Sequence, residues 1–204
     1  MLEMMPIKII IFAVRYFGIV IIKFIFYGGM MVKLFHVSEE ANIELFAPRI
    51  PIREDMDKSK GLVWALTEEH LPQFLTPREC PRVTYRIVET TTQDDIDKFF
   101  SSYSRYCVAI EHDWYKRMVS TTLYVYEFDT VNFYFDKQAG FYVSDQIETP
   151  ISKIKYDDLF DELFKRNVEV KIMDNLWNFA DKVKKSTLKY SICDMANAQP
   201  RVIV

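Results

Sequence analysis

The chain has 204 residues, half of them apolar and 15% aromatic, with 27% charged and a net charge of −3. That composition supplies a sizeable core for one domain of roughly 170 residues plus an extension. The near-balanced charge gives no polyelectrolyte attraction for nucleic acid. Three cysteines, Cys80, Cys107 and Cys193, are too few and too widely spaced for a secreted disulfide framework. No Cys-x-x-Cys or His-x-x-x-His spacing joins them to the three histidines, so no metal site is expected. Five glycines leave no room for a Gly-rich phosphate loop. These features favour a cytoplasmic location.

Residues 1–30 are read as a hydrophobic extension and residues 31–204 as a single α+β domain. Residues 7–27, IKIIIFAVRYFGIVIIKFIFY, are apolar apart from Lys8, Arg15 and Lys23. The length suits a membrane-spanning helix, but Arg15 mid-span costs roughly 2.5–3.5 kcal/mol. Spacings of seven and eight put the three charges on one helical face, which suits a helix lying on a membrane surface. A cleaved signal peptide fits poorly, because charges interrupt the apolar run. A further reading is a start upstream of the true one. Gly28-Gly29 just before Met30-Met31 is what a translated ribosome-binding site would leave. The location is therefore cytoplasmic, or membrane-anchored through residues 7–27.

Further along, residues 33–37 (KLFHV) form a short strand ending near His36, and Ser38 with Glu39 and Glu40 opens a helix over EEANIELF. Residues 47–60 hold two prolines and read as a loop. Residues 61–66 (GLVWAL) form a buried strand, and Thr67 opens a short helix that Pro72 limits. A strand follows at 83–88. Thr92 and Asp95 then have capping-box spacing ahead of a helix. Residues 106–110 (YCVAI) form a strand containing a buried free thiol, Cys107, and 112–119 are helical. In TTLYVYEF (121–128) Leu123, Val125 and Glu127 alternate with Tyr124, Tyr126 and Phe128. Short strands near 132–135 and 141–144 precede a helix over 156–166 with Leu159, Phe160, Leu163 and Phe164 on one face. A strand at 168–173, a helix at 176–185 and a strand at 188–193 complete the pattern. Paired strands with interspersed helices give an α+β class with curled, largely antiparallel sheets and flanking helices.

Four constellations could carry chemistry. His36, in an apolar strand, is either a packed, hydrogen-bonded residue or a site residue. A Ser-His-Asp triad lacks its nucleophile elbow, and a pairing of His36 with Cys80 has no supporting motif. Arg49, Arg78 and Arg82 stand beside prolines in irregular segments, where a stiff backbone restricts the reach of each guanidinium. They either pair with nearby Asp55, Asp57 and Glu79 or form an anion site. Among Trp64, Tyr85, Tyr124, Tyr126, Phe141 and Tyr142, most fill the core, and one or two at a sheet mouth could stack a planar ring. The tail, NAQPR (197–201), either stays solvated or folds back to bring Asn197 and Arg201 to a site.

Taken in order, LFHVSEE, VWAL, PRECPR, AGFYVS and NAQPR resemble the motifs of a bacterial family of uncharacterised proteins, over about residues 33–201. More distantly, a first strand carrying His then a small hydroxyl residue, followed by a V-x-A strand and a short helix, is similar to the ADP-ribosyltransferase-like fold. Enzymes of that fold bind NAD in a cleft between two small sheets. The resemblance implies that His36 holds the adenosine-side ribose, that Trp64 or Tyr142 stacks on the nicotinamide, and that Glu148 is the catalytic carboxylate. Ser38, Arg49, Arg78, Arg82 and Ser144 complete the implied cofactor-binding set. The AGFYVSDQIE segment lacks the family's carboxylate at the start of its strand, a departure that bears on transfer chemistry more than on binding.

Three functions remain open. One is an NAD-using ADP-ribosyltransferase-like enzyme. Another is a binding module for a nucleotide or phosphorylated small molecule, and the third is a membrane-associated, partner-binding domain.

Overall fold

The computed structural model describes residues 26–27, 30–52 and 56–201. The hydrophobic helix expected over 7–27 therefore lies almost wholly outside the described residues. Its last two residues form β1 (Phe26–Tyr27), which pairs antiparallel with β2 (Met30–Met31) across the expected domain boundary. No helix among the described residues is long and apolar enough to cross a membrane.

Two larger sheets carry the α+β domain. The first holds β3 (Leu34–Ser38), β4 (Val63–Thr67), β7 (Leu123–Phe128), β8 (Tyr134–Asp136), β9 (Phe141–Ser144) and β10 (Ser152–Tyr156). Its order is β10-β7-β3-β4-β9-β8, with every neighbouring pair antiparallel. The second runs β11 (Val168–Met173), β6 (Tyr106–Glu111), β5 (Arg82–Arg86), β12 (Lys189–Cys193), with only β11–β6 parallel. Among the described residues, four α-helices accompany them: α1 (Gln93–Phe99), α2 (Tyr115–Ser120), α3 (Leu159–Lys165) and α4 (Trp177–Lys184).

Strand periodicity decides which side chains go where. In β6, Val108 and Ile110 join Phe35, Leu66, Leu123 and Val125 of the first sheet in one core, which α3 completes with Leu159 and Leu163. The alternate residues Cys107 and Ala109 enter a second core under α1 and α4, with Phe99, Ala180 and Val183. The outer face of the first sheet is covered by irregular chain, around Leu34, Phe46, Val63, Tyr126 and Phe128. Each fully buried leucine or valine contributes roughly 1.5–3 kcal/mol, so both sheets are held from two sides.

Several local expectations change. No helix follows Ser38; its Oγ instead accepts the Glu40 N–H (3.0 Å) in a turn. The segment beyond is fixed by distant contacts. The Tyr126 hydroxyl donates to the Glu40 carbonyl (2.6 Å) and accepts from the Ile43 N–H (3.2 Å). Phe46 exchanges backbone hydrogen bonds with Glu148 (2.8 and 3.0 Å) and is buried. The helix after Thr67 is a 3₁₀ turn, Glu68–Phe74, because Pro72 cannot donate to an α ladder. Only half of the capping box at Thr92 forms. Its Oγ accepts from the Asp95 N–H (3.4 Å), while the Asp95 carboxylate turns to the Thr187 N–H (2.7 Å) and hydroxyl. The helix expected from Tyr156 starts at Leu159, capped by Asp158, and Tyr156 ends β10.

Candidate functional site

His36 lies in the middle of β3 rather than at its end. The β3–β4 ladder contains only Leu34↔Thr67 and Phe35↔Leu66. Beyond Phe35 the two strands part, while β3 keeps its pairing with β7 as far as Ser38. At the parting, the His36 side chain takes over from the backbone: Nδ1 lies 3.1 Å from the Trp64 carbonyl. A carbonyl only accepts, so Nδ1 carries the proton and Nε2 presents a lone pair. Among the described residues, Nε2 forms no hydrogen bond. Burial is the largest cause lowering the His36 pKa below its ordinary value, and the Arg49 charge adds to it against the opposing Trp64 bond. His36 is thus a neutral imidazole near pH 7. The Phe46 ring, 4.9 Å away and tilted, fixes its other side.

Two chambers meet at this gap. The smaller, about 420 Å³, lies between β3 and β4 and is walled by Trp64, Leu66, Phe74 and Phe141, with Ile50 and Ile52 across its mouth. Phe141 is the hub of its aromatic wall, edge-on to Trp64 (6.3 Å) and Phe74 (5.9 Å). The larger, about 1030 Å³, runs along residues 38–47 to the loop at 76–79. His36, Val37, Arg49, Ile52, Trp64 and Phe74 line both, so the two chambers adjoin along these residues and together form the candidate cleft. Its mouth depends on a close backbone approach. Arg49 and Leu62 exchange backbone hydrogen bonds (3.1 and 2.9 Å), and a Cβ on Gly61 would lie 2.8 Å from the Pro48 carbonyl.

The expected site residues divide clearly. His36, Ser38, Arg49, Trp64, Arg78 and Arg82 all line the larger chamber. Tyr142, Ser144 and Glu148 line neither chamber. In β9, Phe141 faces the cleft while Tyr142, one residue on, packs on the outer core and meets Phe135 at 5.5 Å. The Ser144 hydroxyl donates to the buried Glu148 carboxylate at 2.5 Å, and Glu148 is pinned by its backbone pairing to Phe46. Sequence reasoning left out Phe74 and did not place Phe141 at the site. The register of β9, which decides the facing residue, is set by its pairing with β4.

The three arginines differ in what they have left to offer. Arg82 is buried and committed: Nε donates to the Gln73 carbonyl (2.6 Å), and Nη1 to the Cys80 carbonyl (2.9 Å) and Asp194 (2.7 Å). It is the structural ion pair of the set. Arg78 is exposed; its backbone N–H donates to Glu39 (2.7 Å). Arg49 is exposed and forms no ion pair with a carboxylate among the described residues. Cys80 is buried, and burial pushes its thiol up to about 12, which disfavours the reactive thiolate. No group of three or more His, Cys, Asp or Glu among the described residues could hold a metal ion.

Fold and site together define a two-sheet α+β domain whose cleft opens between two strands of one sheet. Residues 35–198 match the model of a family of unknown function, DUF6886, and the chain belongs to that family. Neither the curated proteins nor the solved structures contain a match.

Proposed function

We propose that the cleft binds a nucleotide of the NAD type. One observation carries this reading: neutral His36, Arg49 and Trp64 converge where the apolar and polar chambers join. The apolar chamber suits a planar ring against Trp64, Phe74 and Phe141. His36 Nε2 is an acceptor for a ribose hydroxyl, and Arg49 and Arg78 suit a pyrophosphate. The larger chamber is lined by five carboxylates and three guanidiniums, so an anionic group is held there by local pairing rather than by net field. This extends the likeness to the ADP-ribosyltransferase-like fold, in which a first-strand histidine holds a ribose.

Binding without turnover is the form the geometry favours. Glu148, the carboxylate that the resemblance assigns to transfer, is bonded to Ser144 outside both chambers. The test is thermal denaturation with NAD, ADP-ribose and nicotinamide mononucleotide, alongside an assay of NAD consumption. A ligand at about 100 times its Kd adds about 2.7 kcal/mol, which raises Tm by roughly 5–10 °C for a domain of this size. The expected result is such a rise with no NAD consumed. No rise with ADP-ribose overturns the nucleotide reading, and NAD consumption overturns the non-catalytic form.

A further inference from the structure

We infer that Asp194 is a positioning residue for the cleft, and that the C-terminal strap it begins holds the arginine-bearing wall in its binding shape. This rests on the nucleotide-cleft reading above. Asp194 follows β12 directly, where Cys193 pairs with Arg82 across the β12–β5 ladder. Its carboxylate bonds Arg82 Nη1, and both residues line the larger chamber. Arg82 is thereby fixed as a staple. It ties the end of the 3₁₀ helix (Gln73) and the wall loop (Cys80) to the strap, with its guanidinium 5.8 Å from the Phe74 ring that lines both chambers.

The strap then turns back onto the same loop. Asp194 adopts a left-handed conformation (φ 55°), which Asp tolerates better than most residues. That turn leads into a 3₁₀ segment, Met195–Asn197, and sends the Asn197 amide to the Glu79 carbonyl (2.9 Å). Glu79 is itself left-handed (φ 64°), so the strap holds the loop at the residue least able to keep its conformation unaided. Farther on, the strap is anchored to the second sheet and α4. Buried Glu111 accepts the Gln199 N–H (2.8 Å), and Trp177 Nε1 donates to the Gln199 carbonyl (2.9 Å). Arg201 lies over Trp177 (5.4 Å) and pairs with Asp181. Asn197 thus reaches the cleft wall, while Arg201 acts as a distal anchor.

The test compares Asp194→Asn and Asn197→Ala with Val183→Ala, a fully buried position on α4 that lines neither chamber. Full-length protein is titrated with ADP-ribose by calorimetry, and amide exchange is followed at Arg78 and Cys80. The Arg78 N–H bonds Glu39, and the Cys80 N–H bonds the Pro77 carbonyl. The expected result is a Kd raised about tenfold or more by each strap variant, whereas Val183→Ala lowers Tm and leaves Kd in place. A Kd unchanged in Asp194→Asn and in Asn197→Ala overturns the inference. If the wild-type protein fails to bind ADP-ribose, the nucleotide reading falls and exchange decides the strap alone. Faster exchange at Arg78 and Cys80 in the strap variants, but not in Val183→Ala, upholds it, and unchanged exchange overturns it.

Discussion

Removing the Tyr126 hydroxyl tests how the cleft wall is built. Tyr126 is 1% exposed, and its hydroxyl bonds the Glu40 carbonyl (2.6 Å) and the Ile43 N–H (3.2 Å). With the Lys153 Nζ bond to the Ala41 carbonyl (2.6 Å) and the packing of Ile43 on the outer core, those two bonds hold residues 40–43, part of the wall of the larger chamber, onto the sheet. Tyr126→Phe keeps the ring, and with it the edge-on contact to Phe46 at 5.3 Å. It deletes only the two hydrogen bonds. At about 0.5–1.5 kcal/mol net for each bond, the loss is about 1–3 kcal/mol. For a domain of this length each kcal/mol lowers Tm by roughly 2–4 °C, so a mid-range loss of about 2 kcal/mol gives a fall of roughly 4–8 °C. Calorimetric melting of both proteins at pH 7 measures it. A Tm within about 1 °C of wild type would refute the view that this hydroxyl holds the segment in place of a helix.

Other outcomes follow from the same geometry. Gly61→Ala forces the added Cβ against the Pro48 carbonyl. It should part the Arg49–Leu62 pairing and lower Tm, and an unchanged Tm would show that the mouth yields freely. Burial pushes both the Cys80 and Cys107 thiols up to about 12, and iodoacetamide needs a thiolate. Native protein at pH 8 should therefore be alkylated at Cys193 alone, and mass spectrometry finding label on Cys80 or Cys107 without denaturant would contradict that. His36 is lowered from 6.5, chiefly by burial and further by Arg49, and His70 is lowered chiefly by its burial. As pH falls through about 6.5 the unfolded chain takes up these protons first. Stability present at pH 7 is then lost progressively toward the lower folded values. Tm should fall between pH 7 and 5.5, with a shallower slope in His36→Gln; an unchanged slope would contradict this.

How much of this could be read in the chain differs from element to element. β6 and β7 were legible because both their faces are buried, so Val108 and Ile110 alternate with Cys107 and Ala109 in clear apolar runs. β10 was not legible. Residues 152–155 are exposed on an edge strand, and SKIKY carries no burial alternation. The helix expected after Ser38 had sound local signals, but Tyr126 and Glu148 bind that segment from far along the chain. At the site, His36 stood out as a histidine within an apolar strand. What no local pattern reveals is that the β3–β4 ladder stops at Phe35 and opens a cleft beside it. Arg82 looked like its neighbours Arg49 and Arg78 in sequence. Its burial and its bond to Asp194, 112 residues away, separate it from them.

The most direct measurement is calorimetric titration of ADP-ribose into wild-type protein, His36→Ala and Arg49→Ala. Saturable one-to-one binding is expected, weakened about tenfold or more in each variant, as loss of one hydrogen bond or ion pair to the ligand of ~1.4 kcal/mol or more implies. Absence of binding to the wild-type protein, or affinity unchanged in both variants, would contradict a nucleotide site at the parting of β3 and β4.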